Sequence, residues 1–353
     1  MKIIMLPGDG IGPEIMKATA VVLDKLNKSF NLRLNFEQLS IGMSALEATG
    51  STLPDEIMGQ IKSADGVILG PCDTYAYPSR EEGGINPSAA IRIELDLFAN
   101  IRPSRARVGV PAMTPNMDLV IVRENTEGFY ADRNMYFGSG EFMPTQDVAL
   151  AVRKVTRQGS RRIAEEAFQL AERRRKKVTV VTKANVLKVS EGLFLGEVRD
   201  VAKSFPGVEL TEVLIDAMAA LLVRTPADFD VIVTTNMYGD ILSDEAAELS
   251  GGLGLGGSVN AGSYHGIAQA AHGAAPDISG LGIGNPVALM NSVAMLLEWL
   301  GGRNGRGDLV KAAKCFNDAI DKTLEHPVNH TPDLGGKAKT TDIGKAVATF
   351  ISG

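Results

Sequence analysis

The stretch Asn236-Met-Tyr-Gly-Asp240-Ile-Leu-Ser-Asp244-Glu-Ala-Ala-Glu-Leu-Ser-Gly-Gly-Leu-Gly254 follows directly on the apolar run Val231–Ile232–Val233. A short β-branched run reads as a buried strand. A strand passing straight into a helical segment is the repeating unit of an α/β fold. Asp240 and Asp244 stand four residues apart, which puts them on one face of a helix. Stacked carboxylates repel unless a positive charge lies between them. A hard divalent cation such as Mg²⁺ or Mn²⁺ supplies that charge. Taken alone, such a pair is more often a solvated acidic face, so the rest of the chain has to decide.

Working outward, the same strand-then-helix grammar recurs. Ile3–Leu6, Gly66–Leu69, Leu119–Val122 and Val178–Val181 are further apolar runs, each ending in a polar loop. The loops are Gly70–Thr74, Arg123–Asn125, Thr182–Asn185 and, after Val233, Thr234–Asn236. This alternation predicts an α/β protein with a largely parallel sheet, and open sheets of that kind place ligands past their strand ends. A helix is expected from about Pro13 to Leu26 and another over Ser160–Glu172. The region Asn134–Thr145 shows neither apolar period and is expected to be a projecting arm or loop.

Composition bounds the possibilities. The chain has 353 residues, 44% apolar and 22% charged, enough for about two domains with a substantial core. A net charge of −6 argues against a nucleic-acid partner. The one basic cluster, Arg173–Lys177, closes a helix and is expected to be a solvated C-terminus. No apolar run approaches the length of a membrane span. Two cysteines, Cys72 and Cys315, fit a reducing compartment, and a cytoplasmic location is expected.

Gly8-Asp-Gly-Ile-Gly12 has G-x-G-x-G spacing, with no acidic residue ending a clear second strand. It is rejected as a dinucleotide fingerprint and read as a tight strand-to-helix turn. His272-Gly-Ala-Ala-Pro-Asp277 combines a stacking ring, glycine and a carboxylate suited to a ribose diol. Arg92, Arg102 and Arg123 would each pass for a surface ion pair, but together they suit a substrate with several carboxylates. Lys183 and Tyr130 are side chains able to move protons when burial or a nearby metal tunes them.

These pieces, in this order, resemble the β-hydroxyacid oxidative decarboxylases, the isocitrate/isopropylmalate dehydrogenase family. The resemblance runs from Gly8-Asp-Gly-Ile-Gly-Pro-Glu14 through Asp96-Leu-Phe-Ala-Asn-Ile-Arg-Pro103, Arg123-Glu-Asn-Thr-Glu-Gly-Phe-Tyr130 and Lys183-Ala-Asn-Val-Leu-Lys-Val-Ser-Glu-Gly-Leu-Phe194. It continues through Asn236–Ala247 and His272–Gly280 to Pro332-Asp-Leu-Gly-Gly336. It implies a two-domain, mostly parallel, non-Rossmann α/β fold. A large cofactor domain would comprise residues 1–99 and 253–353, and a small domain of residues 100–252 would form a homodimer. It further implies that Arg92, Arg102 and Arg123 grip the malate carboxylates. Asp240 and Asp244 would hold Mg²⁺ or Mn²⁺, completed by Asp216 of the other subunit. Lys183 would reach across the dimer as the base, and Tyr130 would protonate the enolate. Thr74, Asn185, His272, Gly273, Ala275, Asp277, Asn285 and Asp333 would contact the cofactor. Asp277 implies NAD, because NADP-dependent relatives tend to carry a basic residue there.

Two departures mark this chain. Gln269-Ala-Ala-His272 stands where many relatives have Glu-Pro-x-His. Before Arg92 the chain carries Asn86, Ser88, Ala89 and Ala90, where isopropylmalate enzymes place bulky apolar residues. Asn86 and Ser88 are expected to donate hydrogen bonds to a polar γ-group. The expected activity is oxidative decarboxylation of a 2-hydroxy di- or tricarboxylic acid, isocitrate foremost. Homoisocitrate, 3-isopropylmalate and tartrate or D-malate stay open. A non-catalytic regulatory subunit is the reading from another class, and retention of Asp216, Asp240, Asp244, Lys183 and Tyr130 speaks against it.

Overall fold

The computed structural model describes residues 1–130, 135 and 138–352. The fold is α/β with mostly parallel strands, and it divides into two compact units. The first comprises Met1–Leu95, Arg107–Met113 and Gly251–Gly353; the second comprises Asp96–Ala106 and Thr114–Ser250. Among the described residues no helix is long and apolar enough to cross a membrane.

In the first unit the strands lie in the order Asn35–Gln38, Lys2–Leu6, Gly66–Leu69, Gly266–Ala270, Gly257–Ala261. All neighbours are parallel except the last two, which pair antiparallel. Gly66–Leu69 is buried at every position, as a strand covered on both faces must be. The helix Gly12–Ser29 begins with Pro13 in its first turn, where proline's missing N–H costs nothing. Gly8 and Gly10 have φ of +71° and +56°. A Cβ on Gly8 would lie 2.1 Å from the Pro71 carbonyl oxygen, and one on Gly10 would lie 1.9 Å from that of Ala274. These glycines therefore serve a turn that threads between two loops.

Asp9, between them, is buried and accepts from the amides of Met43 (2.8 Å) and Asp73 (3.0 Å) and from the Tyr77 hydroxyl. Glu14 accepts from the amides of Gly282 (3.1 Å) and Gly284 (2.8 Å). The Gly-Asp-Gly-Ile-Gly-Pro-Glu turn is thus a structural hub that ties down two loops carrying candidate cofactor residues.

The second unit orders its strands Ala99–Arg105, Asp118–Glu124, Val231–Thr234, Lys177–Thr182, Glu209–Leu214. The first pair is antiparallel and the rest parallel. Leu119, Ile121, Val181 and Ile232 from the strands pack with Met218, Leu222, Leu242, Ala246 and Leu249 from the helices Ile215–Arg224 and Asn236–Ser250. Leu242, Ala246 and Leu249 recur at helical spacing, so the opposite face is left for Asp240 and Asp244.

One expectation is corrected here. The Arg173–Lys177 cluster is not simply solvated. Arg174 Nε donates to the almost fully buried Asp230 (2.7 Å), and its Nη2 donates to Asp118 (2.9 Å). The Arg175 amide donates to the second Asp230 oxygen at 2.7 Å. A buried carboxylate needs such partners, so the cluster clasps the helix Arg157–Glu172 to two strand starts. Within Asn134–Thr145, residues Asn134, Tyr136 and Phe137 lie outside the described residues. Glu141–Thr145 pairs with Val148–Ala151 as an exposed two-stranded ribbon, the arm of the two forms expected there.

Candidate active site

In the second unit, two arginines and a tyrosine converge on the Asp240–Asp244 face. Arg123, 3% exposed, ends the strand Asp118–Glu124 and donates to Asp240 through Nη1 and to the Tyr130 hydroxyl through Nη2 (3.2 Å). The Tyr130 hydroxyl in turn donates to Asp240 Oδ2 at 2.6 Å. Arg102, 7% exposed, reaches Asp244 Oδ1 at 3.0 Å and Asp240 Oδ1 at 3.3 Å. Neither arginine is the surface ion pair that each suggested singly. Both are held from behind by groups that did not stand out in the sequence. Asn236 Oδ1 accepts from Arg123 Nε and Nη2 (2.9 and 2.6 Å), while its amide nitrogen donates to the Glu127 carbonyl. Asn100 and Ser243 accept from Arg102 at 2.6 and 2.8 Å. Gly239 makes room: a Cβ there would stand 2.6 Å from Arg123 Cγ.

The electrostatics suit a cation. Burial pushes the Asp244 carboxyl above its ordinary pKa, Arg102 pulls it down, and the Asp240 charge pushes it up again. A carboxylate whose ionisation a neighbouring carboxylate disfavours fits a hard divalent ion. Burial likewise raises the Tyr130 phenol, so it holds its proton at neutral pH. Asp216 is not gathered with the other two. Among the described residues of one chain, no three His, Cys, Asp or Glu side chains form a metal-binding group. Asp216 instead opens the helix Ile215–Arg224 and binds Lys183 Nζ at 2.5 Å, which holds its carboxyl below the usual range. The loop carrying Lys183 is anchored by fully buried Glu191, which accepts from the Lys183 amide at 2.8 Å and pairs with Arg153. Asn185 is exposed in the same loop.

In the first unit, His272 donates through Nδ1 to the Gly273 carbonyl (2.9 Å). Its Nε2 is inaccessible to solvent and has no hydrogen-bond partner among the described residues. Burial lowers the ring's pKa, and the nearby Asp333 charge raises it. Asn285 donates to Asp333 at 2.9 Å and accepts from the Val287 amide at 3.0 Å. A Cβ on Gly254 would meet Asp333 at 2.3 Å, so a bare backbone lines this cradle. Ala275 adopts φ +42° ahead of the short 3₁₀ turn Pro276–Ile278, and Gly273 and Asp277 are exposed. An orphaned ring nitrogen beside a bare-backbone cradle fits an aromatic, hydrogen-bonding ligand such as adenosine. Thr74 is exposed in the loop after Gly66–Leu69. Cys72, close by, has its thiol pushed up to about 12, by burial first and by Asp9 second.

The helix Pro87–Glu94 carries the remaining candidates. Asn86, exposed, is its N-cap and accepts from the Ala89 amide at 3.1 Å. Arg92 Nη2 donates to Gln269 Oε1 at 3.0 Å. Ser88 Oγ donates to the same oxygen at 3.1 Å.

The second unit thus gathers two buried arginines on a pair of carboxylates, and the first sets a bare-backbone cradle beside an imidazole whose Nε2 is buried. The chain matches the family described as "Isocitrate/isopropylmalate dehydrogenase" over residues 2–347. It is 42% identical over 351 residues to a 3-isopropylmalate dehydrogenase of Archaeoglobus fulgidus, covering 99% of both chains. It is 41% identical over 352 residues to an isocitrate/homoisocitrate dehydrogenase of Thermus thermophilus, covering 99% of this chain and 98% of that one. Among solved structures, isocitrate dehydrogenase from Methylococcus capsulatus aligns with a TM-score of 0.86 at 37% identity, over 99% and 98% of the two chains. This chain belongs to the isocitrate/isopropylmalate dehydrogenase family, whose members are oxidatively decarboxylating dehydrogenases.

Proposed function

We propose that this protein oxidises a 3-substituted malate with NAD, in the presence of Mg²⁺ or Mn²⁺, and releases CO₂; the substrate is isocitrate and the product 2-oxoglutarate. The observation that carries the reading is the convergence of Arg102, Arg123 and Tyr130 on Asp240 and Asp244. Asp240 and Asp244 would hold the ion, with Asp216 of the partner subunit. Held there, such an ion would supply Lewis-acid chemistry at the substrate hydroxyl and at developing enolate charge, and NAD would supply the hydride acceptor.

The chain's own groups do the rest. Arg102 and Arg123 bind substrate carboxylates; their fixed forks, braced by Asn100, Ser243 and Asn236, keep that geometry. Arg92 is assigned to the substrate as well. Lys183 of the partner subunit takes the hydroxyl proton. Tyr130, kept protonated by burial, gives its proton to the enolate carbon. The neutral His272 ring, Asn285 and Asp333 receive the adenosine half of the cofactor. The exposed Asp277 carboxylate accepts from the ribose hydroxyls and repels a 2′-phosphate. The γ-group assignment rests on the Asn86 amide and on Ala89 and Ala90, which offer little apolar wall.

Initial rates with isocitrate, homoisocitrate, 3-isopropylmalate, tartrate and D-malate test this, each with NAD⁺ and with NADP⁺. Isocitrate with NAD⁺ should have the highest kcat/KM. NADP⁺ should be poorer by about 100-fold, since removing a phosphate–carboxylate clash is worth a few kcal/mol. Equal use of NADP⁺ would overturn the Asp277 assignment. A preference for 3-isopropylmalate would overturn the γ-group assignment and leave the reaction class standing.

A further inference from the structure

We infer that Gln269 is a specificity-determining residue: by taking the Ser88 hydroxyl proton it turns Ser88 into a hydrogen-bond acceptor toward the substrate's γ-group. The inference rests on the assignment of the Asn86–Arg92 segment to that group. Gln269 lies on the strand Gly266–Ala270 and is 9% exposed. Its backbone is pinned, because its carbonyl accepts from Ser258 Oγ (2.7 Å) and Ser292 Oγ (3.0 Å). Its side-chain oxygen faces Arg92 Nη2 at 3.0 Å, Ser88 Oγ at 3.1 Å and Asn260 Nδ2 at 3.3 Å.

The orientation of the amide follows from chemistry. A guanidinium has donors only, so the Gln269 atom that Arg92 touches has to be the oxygen. Ser88 faces that same oxygen, and an oxygen without a proton can only accept. The single Ser88 proton is therefore committed to Gln269, and only lone pairs remain for a ligand. A carboxylate is itself acceptor-only. Ser88 thus repels a γ-carboxylate mildly, while the Asn86 NH₂ attracts it. The pairing tempers the preference for a charged γ-group and eases entry of a neutral one. A methionine at 269 keeps the shape but removes the acceptor, which would release the Ser88 proton.

The test is the ratio of kcat/KM for isocitrate to that for 3-isopropylmalate in four proteins: wild type, Ser88→Ala, Gln269→Met and the double variant. Gln269→Met should raise the ratio about tenfold, mainly through the KM for isocitrate, as one added hydrogen bond to a carboxylate allows. Ser88→Ala should act with opposite sign in the two backgrounds. It should raise the ratio about twofold with glutamine at 269 and lower it about fivefold with methionine there, so that Ser88→Ala and the double variant share one ratio. Equal losses for both substrates in Gln269→Met, with the ratio unchanged, would reduce Gln269 to a structural role and overturn the inference. So would a Ser88→Ala ratio that falls in the wild-type background. A neutron structure of the wild-type protein exchanged into deuterium oxide reads the same claim without turnover. A Ser88 deuteron on the line to Gln269 Oε1 supports it, and one pointing elsewhere contradicts it. Failure to turn over any 3-substituted malate would sink the proposed function while the deuteron still decides the hydrogen bond.

Discussion

Asp240→Asn is expected to lower kcat by about 1,000-fold and to weaken Mn²⁺ binding, with the fold retained. The magnitude follows from the several kcal/mol that an ion contributes to stabilising developing charge, at about 1.4 kcal/mol per factor of ten. Asp240 is the shared partner of Arg102, Arg123 and Tyr130, so its neutral amide also weakens the pull that aligns them. Those arginines keep Asn100, Ser243, Asp244 and Asn236 as partners, which is why the site should not collapse. Titration of Mn²⁺ followed by its electron paramagnetic resonance signal separates the two effects. Weaker Mn²⁺ binding together with partial recovery at high Mn²⁺ supports the ion site. Unchanged Mn²⁺ affinity would remove Asp240 from it.

The second large effect concerns the division of labour between two chains. Within one chain Tyr130 belongs to the Asp240 cluster, whereas Lys183 is paired with Asp216 in another. If each site takes Tyr130 from one subunit and Lys183 of the partner subunit, Lys183→Ala and Tyr130→Phe homodimers should both be nearly inactive. Mixing them should restore activity. Random exchange places half of the dimers in the mixed form, each with one intact site of two, so about a quarter of wild-type activity should return. Exchange is verified by mass spectrometry of differently tagged subunits. No recovery in a verified mixture would show that Lys183 and Tyr130 serve the same chain's site.

The buried strands Lys2–Leu6, Gly66–Leu69, Asp118–Glu124, Lys177–Thr182 and Val231–Thr234 were legible because short apolar runs mark them. Val231–Thr234 and Gly66–Leu69 are buried at every position. The acidic pair was legible as well, since helical spacing alone puts Asp240 and Asp244 on one face. What the sequence hid is non-local. Asn100, Asn236 and Ser243 look like ordinary strand and helix residues, and only folding brings them behind Arg102 and Arg123. Gln269 showed as a departure from the family pattern, but its grip on Ser88, 181 positions away, had no local signal. Arg174 and Arg175 were misread as solvated because Asp118 and Asp230 come from separate strands. Gly239 illustrates the converse: inside a helix it costs stability relative to alanine, and its use is visible only once Arg123 lies against it.

The central claim is that oxidation and loss of CO₂ occur together at a metal-dependent site. Simultaneous measurement of NADH and CO₂ from isocitrate, with Mg²⁺ and then with excess chelator, tests it most directly. Equal amounts of NADH and CO₂ in the presence of Mg²⁺, and neither after chelation, are predicted; NADH without CO₂, or full activity in metal-free buffer, would contradict the account.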